Sequence, residues 1–551
     1  MIYSKNFIKI RLVLIILISS CATAQLYIPA DPHDLLFTEQ KILMGGDDPG
    51  SLMIRPIIAP FKQNSNWSLK VQNELFYNSG APNLENTSNK WIGKGVSYFT
   101  SANIAYNSEY IFASIEPYYF ISQNDDYDEP RRIEKFSHLN DNRPHLETPY
   151  KSAGFRETQL YLKYRGFGGG YSNANMWWGP GHYSSLMMSN NTTGFGHLML
   201  GTINEKRYKD WGFSGRYVFS KFGEKSKSQP YYSGFIFNTT YYSEPIVTFG
   251  FSRAFLSGGN NSNYNIGMLE AALLPFELVK VEKPSGQGNF LNPVDQTYAG
   301  YINIRFPKSG LVVFLEYGRV VGPESFKDFT LHPDHNRAFI FGVRKYGLFN
   351  NINLMFGFEY ANLIQTIYWQ LRDTPDWNSA TQFDYNTYDG RYFGAQSGPD
   401  SDDFTIYLAY NNKNLSIMPS IGYERHNVTH PNALVDQKGG TVVYDHSLGY
   451  YYLPENRNVI YNMSQLPDGK LEFKFDLRYL YKKFSFSLFY EYEIVLNQDF
   501  RVSGPYGFVE NNGTKDKVKT KSNSIIWFSI GRNFDGKLES SFKKFFPRFN
   551  K

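Results

Sequence analysis

The sequence has almost no cysteine, no long apolar run beyond its first residues and no marked excess of either charge, and each lack removes a class of protein. Its one cysteine, Cys21, falls among the first 24 residues. No intrachain disulfide can form, and a thiolate metal site is excluded. Beyond the leader, nothing approaches the ~18–20 consecutive apolar residues of a membrane-crossing helix. The formal net charge is +5, of which Lys5, Lys9 and Arg11 supply three; the rest of the chain carries about +2. That is no basic stripe for nucleic acid. A Gly-x-Ser-x-Gly elbow, a helical His-Glu-x-x-His pair and a phosphate loop are all missing. Neither cofactor nor metal is expected, and no catalytic residue is assigned.

Aromatic side chains, by contrast, are abundant. They make up 18% of 551 residues, with 43 Tyr and 46 Phe, while the mean hydropathy stays at −0.43. So many rings in so polar a chain suit a large sheet with one apolar and one wet face. A soluble chain of this length would divide into several domains, whereas a barrel grows by adding strands.

Residues 1–24 read as an export signal: basic residues, then Leu12–Ile18, then Ala22-Thr23-Ala24 before Gln25. Ile18-Ser19-Ser20-Cys21 also fits the box preceding a lipidated cysteine. Cleavage after Ala24 and lipidation of Cys21 both stay open.

The clearest strands lie near the C-terminus. Leu471, Phe473, Phe475, Leu477, Tyr479 and Tyr481 alternate with Glu472, Lys474, Asp476, Arg478 and Leu480. After Lys482-Lys483, Phe484, Phe486, Leu488, Tyr490, Tyr492 and Ile494 alternate with Ser485, Ser487, Phe489, Glu491 and Glu493. Period-two alternation puts each set on its own face. Both runs match the ~9–11 residues of a tilted membrane strand. Weaker copies recur at 66–78, 95–107, 109–121, 156–165, 209–219, 233–243, 245–254, 296–306, 311–320, 337–346, 351–360, 404–411, 415–424 and 523–534. The pattern predicts an all-β fold: a transmembrane, antiparallel, up-and-down barrel of about 16–18 strands over 61–551. Alternation of short turns with long loops is legible only downstream of about residue 360. Residues 25–60 stand apart. Asp34–Met44, closed by Gly45-Gly46, reads as a short periplasmic helix, either a plug or a frayed leader.

The most distinctive stretch runs from Met176 to Asn191 and contains Trp177, Trp178, Gly179, Pro180, Gly181, Ser185, Leu186, Ser189, Asn190 and Asn191. It resembles the Wzi family of capsule-assembly outer-membrane proteins, which carry a similar Trp-Trp-Gly-Pro-Gly, Ser-Leu and Ser-Asn-Asn series. The resemblance implies a barrel of about eighteen strands, a helical periplasmic element, a lumen blocked by loops and a lectin that holds capsular polysaccharide. This chain is longer than the enteric members, and outside the motif almost nothing aligns. On physical grounds the motif is either a structural turn, since Pro fixes φ and Gly permits positive φ, or a direct glycan contact.

Sugar recognition needs aromatic faces beside planar polar groups. Trp369, Arg372, Asp373, Trp377, Tyr385, Tyr388, Asp389, Arg391 and Tyr392 offer both within one long loop, which a plug packed by its own rings would also explain. Asp125, Asp126, Asp128 and Glu129 form either a calcium site or a solvated loop. Lys515, Lys517, Lys519 and Lys521 could meet anionic polymer or lipopolysaccharide phosphate from the 495–522 loop. His182 and Ser184 are close in sequence but lack a third triad member. The expected protein is a monomeric, non-catalytic surface lectin of a Gram-negative outer membrane, in contact with its lipid and lipopolysaccharide and with capsular or extracellular polysaccharide. A porin-like channel for small solutes is the alternative, separable by an open, charged constriction.

Overall fold

The computed structural model describes residues 26–536 except 31, 44–49, 60–65, 83–84, 128–146, 261–265, 277–293, 321–336, 365–376, 378–382, 385, 427–442, 446–449, 453–467 and 499–518. The leader and Cys21 lie outside the described residues, as do Trp369, Arg372, Asp373, Tyr385, Asp128, Glu129, Lys515 and Lys517.

Eighteen antiparallel strands close on themselves, the last, Lys519–Gly536, pairing with the first, Trp67–Asn78. Closure leaves no bare backbone edge, which a bilayer would not tolerate. The C-terminal hairpin forms as its pattern dictates: Asp468–Tyr481 pairs with Phe484–Gln498, placing Phe473 opposite Tyr492 and Leu477 opposite Leu488. Large apolar side chains such as Leu75, Leu160, Leu200, Phe249 and Leu408 point outward and are exposed. Polar and charged ones, among them Glu74, Asn238, Asn303, Glu316, Arg344, Glu359 and Glu472, are buried inside. This wall is the inverse of a soluble protein. No described helix is long and apolar enough to cross a membrane.

The sixteen runs of the sequence reading all fall on barrel strands, and two strands escaped it: Phe167–Ser172 and His197–Thr202. The first includes Gly168, Gly169 and Gly170, which carry no side chain to mark a face. These glycines are required, because a Cβ on Gly170 would lie 1.9 Å from the Leu160 carbonyl oxygen. With these two strands in place, tight turns alternate with long connections along the whole barrel. Arg165-Gly166, Lys209-Asp210, Phe349-Asn350 and Lys482-Lys483 mark one rim; the other carries every long connection, including 173–196, 258–293 and 363–401. Both barrel termini lie at the tight-turn rim, the periplasmic one in outer-membrane barrels. One detail changes at the far end: Lys519 and Lys521 belong to the last strand rather than to a loop.

The predicted helix is present at Pro32–Leu43, opened by a proline suited to its first turn. It does not fray outside the barrel but closes the tight-turn end from within. The Gln40 amide donates to the Ile352 and Asn411 carbonyls beside two tight turns, at 3.0 and 3.4 Å. Glu39 forms a fully buried ion pair with Arg344, 2.7 Å from Oε2 to Nε, and accepts from the Tyr346 hydroxyl at 2.7 Å. Residues 50–59 also lie inside. Tyr27–Ile28 pairs with Ile57–Ile58, and Ile54–Arg55 pairs with Trp177–Trp178.

Candidate functional site

Among the described residues, interlocking segments occupy the lumen, chiefly the described parts of the N-terminal stretch up to Ala59 and of 363–401, with the 173–196 connection. Their apolar residues form one core with the inner wall, including Leu52, Met53, Ile54, Trp178, Leu186, Met188, Phe195, Trp377, Tyr388 and Phe393. Two carboxylates rising from the wall then fasten the middle segment. Glu359 accepts the backbone amides of His182, Tyr183 and Ser184 at 2.8, 3.0 and 2.7 Å. Glu316 accepts that of Leu186 at 3.2 Å. Consecutive amides converging on one acceptor form a nest, and here the wall itself supplies the acceptor.

The motif explains how the chain bends around these groups. Trp178 and Trp177 continue a two-residue ladder with Ile54 and Arg55, and the Arg55 guanidinium lies 4.6 Å from the Trp177 ring centroid. Gly179 takes φ +138°, and a Cβ there would meet the Glu316 carboxylate at 2.8 Å. The carbonyls of Pro180 and Gly181 accept from Arg344 and Arg55, each at 3.2 Å. The Ser185 hydroxyl closes the turn onto the Trp178 carbonyl. Further on, Ser189 binds Phe393 and Gly394, and the Asn191 amide donates to the Tyr392 carbonyl at 3.1 Å. Asn190 donates to the Asn86 carbonyl at 2.9 Å. Nearly every motif side chain is buried. In this arrangement the motif spaces and locks the plug, and its rings are not offered to solvent.

The proposed glycan residues divide similarly. Trp377, Tyr388, Arg391 and Tyr392 are buried within the plug, so their rings are covered in this structure. Arg391 ties two segments together by donating to the carbonyls of Ser88 and Lys90. Burial pushes the Tyr388 phenol up to about 12. Asp389 pairs with the exposed Lys225 at 2.8 Å. A cavity of about 30 Å³, bordered by Leu186, Tyr232, Asn386 and Phe393, lies between plug and wall.

Under the long-loop rim sits a charge cluster that the sequence reading did not single out. Lys470 pairs with Glu85, Glu424 and Glu472; Lys474 pairs with Glu85, Glu472 and Glu491 at 2.8, 2.8 and 3.3 Å. Carboxylate oxygens of Glu85, Glu472 and Glu491 all lie within 4.8 Å of one another, with Lys474 among them. Burial raises the Glu85 carboxyl, but the adjacent Lys470 and Lys474 outweigh it and hold it well below the usual carboxylate range. The signal was available: Glu472, Lys474, Glu491 and Glu493 occupy the inward positions of the clearest hairpin.

For hydrolytic chemistry the geometry is unfavourable. Among the described residues the buried Ser184 hydroxyl has no hydrogen-bond partner, and the His182 ring rests on Tyr183 and Tyr407. Asp125 pairs its backbone with Lys94, and Lys94 Nζ donates to the Asp126 carbonyl at 3.0 Å, an ordinary loop arrangement.

The family described as "Capsule assembly protein Wzi" matches residues 78–501, including the whole motif. The chain belongs to the Wzi family. Among solved structures it is similar to Wzi of Escherichia coli, an outer-membrane, carbohydrate-binding β-barrel involved in group 1 capsule assembly. The TM-score is 0.57 at 10% identity, covering 93% of this chain and 100% of that one. OprD of Pseudomonas aeruginosa aligns at TM-score 0.38 and 10% identity over 86% and 93% of the two chains, and OccAB2 of Acinetobacter baumannii at 0.38 and 10% over 85% and 98%. No curated protein sequence matches the chain. Like other members of the Wzi family, this is an outer-membrane barrel, as its inverted wall requires.

Proposed function

We propose that this Wzi-family barrel is a non-catalytic anchor that holds capsular or extracellular polysaccharide at the cell surface. The observation that carries the reading is the way the lumen is filled: wall carboxylates bind the plug's backbone amides, a bond set that a solute path would have to break. A conducting porin needs instead a wet, charged constriction. The carbohydrate binding of the E. coli protein agrees with this reading.

The polymer then meets the long-loop rim, and the buried rings of Trp377, Tyr388 and Tyr392 support that surface rather than form it. Trp369 and Arg372, in the same long connection, are the proposed sugar contacts, with Asp389 beside the exposed Lys225. The leader is removed during export, residues 25–60 close the periplasmic end, and the barrel works as a monomer.

Deleting the gene should leave polymer synthesis intact and release polymer into the medium. Unchanged cell-bound polymer would reject anchoring. Trp369→Ala and Arg372→Ala should weaken polymer binding with little change in melting temperature, whereas Tyr392→Ala should lower the melting temperature. In planar bilayers a steady current through the purified protein would favour the channel reading.

A further inference from the structure

The described part of the 258–293 connection turns back over the outside of the barrel. Parity shows which side it takes. On Trp211–Lys221, Tyr231–Tyr241 and Ile246–Ser257 the odd positions face outward: Phe213, Phe237, Phe249 and Phe251 are exposed, while Ser214, Asn238, Thr248 and Ser252 are buried inside. Phe219 is odd-numbered yet buried, because Ile266 and Ala271 cover it. The helix Met268–Leu273 and the turn Leu274–Phe276 therefore lie against the outer wall. The Tyr217 hydroxyl donates to the Ala272 carbonyl at 2.6 Å, and Phe276 stacks on Phe235 with centroids 5.8 Å apart.

Its other face is apolar except for Glu270. Met268, Leu269, Leu273 and Phe276 are 60, 74, 45 and 62% exposed. In water, four such side chains on one short helix would be a liability. Their setting is not water, however. Arg253 and Phe235 lie four residues below the long-loop ends of their strands, roughly 10 Å down a tilted strand and thus inside the ~25 Å apolar belt. The helix face is continuous with Phe237, Phe249 and Phe251 of that belt.

A second observation concerns Arg253. Its position faces outward, where lipid would meet a cation, and a lipid-facing arginine destabilises a barrel increasingly with depth. The helix end covers it: the guanidinium donates to the Pro275 carbonyl at 3.3 Å and to Gln296 Oε1 at 2.6 Å. The carbonyls of Ala272 and Pro275, at the end of this short helix, are satisfied by Tyr217 and Arg253 of the wall, as backbone inside a bilayer requires.

We infer that Met268–Phe276 is an outer-leaflet element, immersed among lipid acyl chains, which shields Arg253 and widens the barrel's lipid-facing surface. This does not depend on polysaccharide binding. The test uses the full barrel in a Cys21→Ser background, otherwise free of cysteine. A nitroxide is attached at Leu269→Cys and the protein is reconstituted in phosphatidylethanolamine–phosphatidylglycerol vesicles. Leu269 is largely exposed, so the label displaces little packing. Phe251→Cys is the lipid-facing reference and Glu224→Cys, at an exposed position of the 222–230 connection, the aqueous one. Immersion gives strong relaxation by oxygen and loss of relaxation by a soluble nickel chelate, as at Phe251→Cys. Nickel relaxation matching Glu224→Cys would overturn the inference by placing the helix in water. Protection from both reagents, with dipolar broadening between labelled copies, would overturn it in favour of a second barrel.

Discussion

Replacing Glu359 tests the lock on the plug. In Glu359→Ala the amides of His182, Tyr183 and Ser184 lose their shared acceptor. Hydrogen bonds contribute about 1 kcal/mol each, and about 1.5–3 kcal/mol when the acceptor is charged, so three represent roughly 3–9 kcal/mol before relaxation. Glu359→Gln keeps one carbonyl acceptor and should lose about half of that. The barrel wall rests on its own ladder and should survive, so the loss appears as local opening of 173–196. Hydrogen exchange read by mass spectrometry should show amides 182–186 exchanging far faster in Ala than in Gln, and faster in Gln than in the native chain. Bilayer recordings should show intermittent current only in the variants. Native-like protection of 182–186 in Glu359→Ala would refute the claim that this carboxylate fastens the motif.

Other perturbations probe separate contacts. Arg344→Met strands the buried Glu39 carboxylate and should cost about 3–5 kcal/mol, exposing the helix Pro32–Leu43 to protease; Glu39→Gln added to it should restore part of the resistance. Gly179→Ala forces a Cβ into φ +138° and against Glu316, so a melting temperature equal to the native value would contradict the geometry. Because its lysines hold Glu85 below its unfolded value, that carboxylate adds stability that is full above the ordinary range and lost only as pH falls through the lower folded value. Residues 79–94 should therefore stay protected from exchange through pH about 4.3, the unperturbed glutamate value, and open there would count against the cluster. Glu85→Gln should loosen the same segment already at neutral pH.

Legibility in the sequence followed side-chain contrast. Where large apolar residues alternate with charges, as in Leu471–Ile494, strand, register and facing could all be read. Phe167–Ser172 was missed because three glycines carry no contrast. The loop-length alternation was lost upstream for the same reason, since two missing strands shift short turns onto long connections. The motif was legible as a tight turn, and Gly179 bears that out. Its partners were not, because Glu316 and Glu359 lie 130 and 175 positions from the amides of Leu186 and Ser184. The charges Glu316, Arg344 and Glu359 on inward positions were the available hint of a filled interior.

By itself, then, the sequence determined the wall: period two needs only neighbours along the chain, and apolar-out, polar-in is the one arrangement a bilayer accepts for such strands. It also marked the family through one unusual run of residues. Only the tertiary structure decided what the lumen contains, since a plug depends on which amides reach which wall carboxylates once the sheet has closed. It likewise decided that Trp377, Tyr388, Arg391 and Tyr392 face inward and that Met268–Phe276 lies outside, because burial belongs to three-dimensional surroundings and not to local pattern.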